Sequence, residues 1–336
     1  MSLETGSASI VDKVRPIEAE ASVVDVRFLG ATAAFVLGEE ALLLADTSDA
    51  AAAPRRVAAH AGGILAAASD GKRVVTGGDD GTLVATDAAG VTETIATDPK
   101  RRWIDHIALA RNGAVAWACG KTVTVRKPKG EEKTLELASS AGGLGFAPKG
   151  FRLAVAHYNG VSLWFPETDA APDVLDWKGS HLSVCFSPDG KFIITTMQEP
   201  MLHGWRLEDR KHMRMSGYTA KVRSLDWSTG GKWLASSGSE QLILWPFQGK
   251  DGPMGKAPRM LAPRELRVSA VACHPKHEIT AVGFVDGMIL LVRTEDGAEI
   301  LVRRPDDSPV SALGWSAKGD VLGFGTENGA AGLLTL

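Results

Sequence analysis

Apolar anchor residues recur along this chain at intervals of 37 to 46 residues: Phe28, Ala67, Leu109, Phe146, Phe186, Trp227, Cys273 and Trp315. A period of about 40–45 residues is that of a four-stranded propeller blade, a unit that buries its apolar face only by packing against its neighbours. The clearest copy runs from Leu182 to Trp205. It reads as a strand (182–186), a turn (Ser187-Pro188-Asp189-Gly190), a second strand (192–196), a loop and a third strand ending on Trp205. Proline presets φ at the second position of a type I turn, Asp suits the third, and Gly the fourth. The flanking residues alternate apolar with small or polar types, which is the period-2 signal of a half-buried strand.

The other copies keep this chemistry. Turns of the same kind follow the anchors at Ser69-Asp70-Gly71, Arg111-Asn112-Gly113, Ala147-Pro148-Lys149-Gly150, Ser228-Thr229-Gly230-Gly231, His274-Pro275-Lys276-His277 and Ser316-Ala317-Lys318-Gly319. Gly-, Asp- or Asn-bearing loops precede the third strands, as at Asp79-Asp80-Gly81, Asn159-Gly160, Asp286-Gly287 and Asn328-Gly329. A fourth, more polar strand closes each copy, as expected where an outer edge meets water. The last copy ends after its third strand, and residues 10–18 form a spare strand. Pairing the two would close the ring and remove its exposed sheet edges. The sequence therefore predicts an all-β closed β-propeller over residues 10–336, with eight four-stranded blades, seven being the alternative. The N-terminal strand closes the last blade, and residues 1–9 form a disordered N-terminus.

The repeats resemble the WD40-repeat family over essentially the whole chain after residue 10. The resemblance rests on the Ser-Pro-Asp-Gly-type turns, the Asp-Gly and Asn-Gly loops, and Trp164, Trp205 and Trp245 at the strand-end tryptophan position. The departures are specific. No copy has a Trp-Asp pair there: Phe165, Arg206 and Pro246 follow the three tryptophans, while Asp46 and Asp87 keep only the acid. The family's Gly-His before the inner strand survives only as His60. The resemblance thus implies that the hydrogen-bonded Asp/His/Ser/Trp network of the family is largely missing.

Composition narrows the function. The formal net charge is −3 with 37 basic and 40 acidic residues, unlike the strong basic excess of a dedicated nucleic-acid binder. No apolar run approaches the ~18–20 residues of a membrane helix, and residues 1–13 lack the basic and apolar regions of a signal peptide. The three cysteines, Cys119, Cys185 and Cys273, are odd in number and lie in or beside predicted strands. They read as buried small hydrophobes in a reducing cytoplasm.

Little of the sequence points to chemistry. Glycines 77, 78 and 81 lack the P-loop pattern, and no helix follows them. Cys273-His274-Pro275-Lys276-His277 invites a metal reading, but a structural zinc site needs four ligands and no partner pair is in sight. His274 falls where other copies carry Ser or Ala before proline, so turn residues beside a packed Cys are the simpler reading. Asp25 and His106 lie three residues before their anchors, a row otherwise small or apolar, and read as structural hydrogen-bonding groups. No cofactor or metal is expected.

The loops say more. In a ring of this kind, the loops joining strand four to the next strand one share a face with those joining strands two and three. The first set is basic and aromatic: Lys100-Arg101-Arg102-Trp103, Lys178 with His181, Tyr218 with Lys221 and Arg223, and Arg264 with Arg267. The second set is acidic at Glu39-Glu40, Asp79-Asp80, Glu199, Glu240, Asp286 and Glu327, and carries Tyr158. Trp and Arg are the residues that anchor protein interfaces, and mixed charge suits a protein partner better than nucleic acid. The binding residues expected are Arg101, Arg102, Trp103, Tyr158, His181, Tyr218, Lys221, Arg223 and Arg267. They would make the chain a monomeric, cytoplasmic, non-catalytic scaffold for a protein or peptide, with no nucleic-acid or membrane partner. The alternative is a hydrolytic or metal-assisted enzyme with its site at the channel mouth.

Overall fold

The computed structural model describes residues 8–336. Its described residues form strands throughout, with two single-turn 3-10 helices at Val11–Lys13 and Thr229–Gly231. The chain divides into two compact units. One comprises Met1–Phe35, Ala45–Pro54 and Arg223–Leu336, and the other Val36–Leu44 and Arg55–Val222.

The turns form as their residues dictate. Ser187 Oγ accepts the Phe192 N–H at 3.0 Å and donates to Asp189 at 2.6 Å. Gly190 N–H closes the turn on the Ser187 carbonyl, with φ at 77°. Ser228 and Ser316 repeat the arrangement, accepting the N–H of Trp233 and of Val321. Each serine thus supplies an acceptor to a buried N–H at a strand start, where an unpaired donor would be costly.

In the first unit, Val310–Trp315, Val321–Thr326 and Ala330–Thr335 pair antiparallel in sequence, and Val14–Glu18 adds to the last of them, with Ile17 opposite Ala331. The N-terminal strand does close the last repeat. It begins at Val14, because Ile10 N–H bonds to Leu301 and residues 11–13 make a helical turn. Of the nine residues expected to be disordered, the first seven lie outside the described residues. Ala8–Ser9 is a short strand parallel to Glu299–Arg303, so that expectation fails for these two. Leu322, Phe324 and Leu334 pack with Ala270, Ala272 and Ile289 of the preceding repeat.

Eight sheets are expected from the repeats, and seven form among the described residues. The count changes in the second unit. There Leu153–Trp164 and Asp173–Phe186 run on as single strands of 12 and 14 residues. Leu153–Trp164 supplies the second and third strands of the fourth repeat, and Asp173–Phe186 supplies its fourth strand and the first strand of the fifth. Tyr158 pairs with Ser180 at the crossover, and the fifth repeat continues from His181. The two repeats therefore share one six-stranded sheet, ordered Ala141–Phe146, Leu153–Trp164, Asp173–Phe186, Phe192–Met197, Leu202–Arg206 and His212–Met215. The expected eight sheets are corrected to the alternative count of seven, although the sequence still carries eight repeats. Gly160 permits the continuity, because a Cβ there would lie 2.3 Å from the Leu175 carbonyl oxygen. Between the halves, Val161, Leu163, Leu175, Phe186 and Trp205 pack into one apolar cluster.

Candidate functional site

The loop from Asp98 to Trp103 is built around a buried carboxylate in the second unit. Asp98 accepts the N–H groups of Lys100 and Arg102, and the Arg102 guanidinium folds back onto it at 2.7 Å. The Arg102 hydrogen bond, aided by its charge and the two N–H groups, outweighs burial and holds the Asp98 carboxyl at about 2. Arg101 takes a left-handed conformation, φ 52°, and makes the loop reverse. A non-glycine residue there costs about 1–2 kcal/mol, which the charge-assisted bonds to Asp98 offset. The result is an ordered loop with Trp103 at its end, 62 % exposed.

Hydrogen bonds continue from this loop. Arg102 reaches the Cys119 carbonyl and Thr122 Oγ1. The Lys121 carbonyl accepts from Leu137 N–H, and Ser139 Oγ accepts from Tyr158 N–H at 3.1 Å. Tyr158 is 59 % exposed. Trp103, Lys121 and Tyr158 thus sit on one connected run of loops, with Lys100 and Arg101 also exposed.

Other expected binding residues are placed differently. His181 is buried. Its Nδ1 bonds Thr195 Oγ1 at 2.8 Å and its Nε2 the Trp177 carbonyl at 3.0 Å, so it presents nothing to a partner. Tyr218 is also buried, and Lys221 is half-buried with its ammonium on Gln198. Arg102 is exposed but bound to Asp98. Arg223 and Arg267, in the first unit, are exposed.

The structural network expected to be missing is present in part. His60 Nε2 meets Thr76 Oγ1 at 2.8 Å, and its Nδ1 lies 3.2 Å from Asp80 and 3.0 Å from Thr82 Oγ1. Burial would raise the Asp80 carboxyl. The Ala61 N–H, the Thr82 hydroxyl and N–H, and His60 together hold it at about 2. His181 with Thr195 repeats half of this set. The residues lie 16 to 20 positions apart, so no local motif marks them.

The histidine-rich turn at 274–277 is structural. His274 Nε2 donates to the Gly319 carbonyl at 2.9 Å, and its Nδ1 accepts the N–H of Lys276 and of His277. The imidazole does here what serine does in the other turns. Among the described residues, no group of three or more His, Cys, Asp or Glu side chains is arranged to hold a metal ion. The three cysteines form no disulfide. Burial pushes the Cys119 thiol up to about 11 and the Cys273 thiol well above its ordinary value, so both are protonated at neutral pH. Asp25 accepts the Val26 N–H and pairs with Arg27 at 2.8 Å, and burial lowers His106 against the raising field of Asp105.

The sequence profile of the family described as "WD domain, G-beta repeat" matches residues 54–85 and 210–245. The first stretch contains His60, Thr76 and Asp80. These two stretches support a likeness of the chain to the WD40-repeat β-propeller family. It departs from that family's pattern in having no intact Trp-Asp pair at its strand ends. It is 27 % identical over 155 residues to the meiotic recombination protein rec14 of Schizosaccharomyces pombe, a match covering 43 % of this chain and 51 % of that protein. The chain thus spans about half the length of that relative. The computationally designed Ika8 protein, solved as a crystal structure, shares the fold at a TM-score of 0.74 and 16 % identity, over 95 % of this chain and 98 % of that one. The chain is thus an all-β propeller. No helix among its described residues is long and apolar enough to cross a membrane.

Proposed function

We propose that this WD40-like propeller is a non-catalytic scaffold that binds a protein or peptide partner across the loops from Trp103 to Tyr158. The observation that carries the reading is Trp103 itself, an indole 62 % exposed at the end of a loop whose backbone is tied to Asp98. An exposed indole on an ordered loop loses little conformational entropy when it is covered, so most of its burial appears as affinity. Tyr158 supplies a second aromatic contact. Lys100, Arg101 and Lys121 give the run a positive rim, which favours a partner segment carrying acidic residues beside an apolar anchor.

The test is affinity capture with the tagged chain from its native cell extract, beside a Trp103→Ala, Tyr158→Ala variant. Arg102 stays in place because its removal would unpair Asp98. A partner held by the wild type and lost by the folded variant is the expected result. Capture of every partner by both chains overturns the reading.

A further inference from the structure

Half-buried arginines of this chain find acceptors: Arg73 on Asp70, Arg126 on Glu132, Arg264 on Glu299 and Arg303 on Asp306. Arg152 does not. It lies partly buried in the second unit, and its guanidinium has neither a hydrogen bond nor an ion pair among the described residues. It is nevertheless held in place. Its Cζ lies 5.7 Å from the Phe165 ring centroid and 5.5 Å from that of Phe186. Its own carbonyl accepts the Ala147 N–H at 2.8 Å, and the adjacent Phe151 stacks on Phe146 at 5.5 Å. Asp173, whose field reaches it, is engaged by Arg210 at 2.6 Å. Burial lowers the Arg152 pKa and Asp173 only partly counters it.

Two aromatic rings hold the cation by attraction to their faces. They leave its N–H donors without a protein acceptor. A guanidinium fork matches a planar, two-oxygen anion with two parallel bonds, and fixing it beforehand reduces the entropy lost on binding. Phe165, 45 % exposed, offers an apolar surface beside the fork. We propose that Arg152 is a carboxylate-binding site, taking a carboxylate of a partner protein, from a chain end or from an Asp or Glu side chain, with a neighbouring apolar side chain on Phe165. The site is separate from the loop run at Trp103. Arg152 precedes the first residue of Leu153–Trp164, whereas Tyr158 lies at the crossover within that strand.

The test is titration of the intact chain, followed by calorimetry for the wild type and every variant and, where Arg152 is kept, also by its Nε–H resonance. The probes are acetyl-Leu-Phe with a free carboxylate, the same peptide amidated, acetyl-Leu-Glu-Leu-amide, and inorganic phosphate. A saturable shift with the free acid assigns a chain end, and one with the glutamyl peptide assigns a side-chain carboxylate. Either is the expected result, provided that the amidated peptide is inert and that Arg152→Lys binds about tenfold or more weakly. Phe165→Leu, which keeps the charge and removes one ring, should also weaken binding, while Trp103→Ala should not change it. Equal binding by the Lys variant, equal binding of the amidated peptide, a response to phosphate alone, or no saturable shift overturns the proposal. Near-ultraviolet circular dichroism matching the wild type shows that each variant is folded.

Discussion

His274 Nε2 and the carbonyl oxygen of Gly319 lie 2.9 Å apart and 45 residues apart in sequence. The bond ties the turn of one repeat to the equivalent turn of the next, and the indole of Trp315 completes the contact, 4.8 Å from the imidazole. Gly319 has φ 78°, and a Cβ there would meet the imidazole at 2.3 Å. Gly319→Ala should therefore destabilise the chain by about 2–4 kcal/mol, from a strained φ and a displaced ring. A urea midpoint unchanged from the wild type would contradict this.

His203 should make the chain acid-sensitive. Its imidazole is fully buried, neither ring nitrogen has a hydrogen-bond partner, and it stacks on Trp177 at 4.1 Å. Burial, then the positive fields of His181, His212 and Arg214, lower its pKa to about 3. The unfolded state takes up the proton near pH 6.5 and the folded state resists it, so stability is lost as pH falls from about 6.5 towards 3. Each pH unit in that window costs up to about 1.4 kcal/mol. His203→Phe, which keeps an aromatic ring in the stack, should flatten the dependence in urea unfolding at pH 7 and pH 5.

Asp226 should act with the opposite sign. Its carboxylate accepts the Trp227 and Cys273 N–H groups at 2.8 and 2.7 Å, yet burial raises its pKa to about 6. The folded state therefore binds a proton that the unfolded state has released. This contribution is largest below about pH 4 and is lost as pH rises through 6. Asp226→Asn removes it, so the wild-type advantage over the variant should shrink by about 2 kcal/mol between pH 4 and pH 7. A constant difference across that range would remove the argument.

Asp80 should resist acid to a lower pH. With its carboxyl held at about 2, its bonds to Ala61, Thr82 and His60 persist through the usual carboxylate range, and the stability they contribute is lost as pH falls through about 2. Asp80→Ala leaves the buried His60 without its acid partner and should cost about 2–3 kcal/mol at neutral pH. Amide exchange at Ala61 and Thr82, whose N–H groups bond this carboxylate, should accelerate in the variant. Unchanged protection at both would refute the role.

Much of the architecture was readable in the residues. The turns at Ser187, Ser228 and Ser316 stand where their composition places them, and Val14–Glu18 pairs with the last strand as the spare segment implied. The candidate site was legible only at its tip. Trp103 is exposed as expected, but nothing in Asp98-Pro99-Lys100-Arg101-Arg102 says which arginine folds back. The left-handed turn at Arg101 decides that it is Arg102. His181 and Tyr218 looked like loop residues and are buried. Arg152 gave no signal, because the rings that hold it come from separate segments, Phe165 just after Leu153–Trp164 and Phe186 at the end of Asp173–Phe186.

By itself the sequence determined the strands, their turns and their order, because alternation and turn chemistry act over a few residues. Tertiary structure alone decided three things. The fourth and fifth repeats share one sheet, because two strands run on through Tyr158 and Ser180. His60 recovers its network with Asp80, although that pair lies 20 residues apart. Arginines alike in sequence also separate into bound and unbound groups. Whether a polar side chain is satisfied depends on neighbours brought from distant parts of the chain, and local pattern carries no information about them.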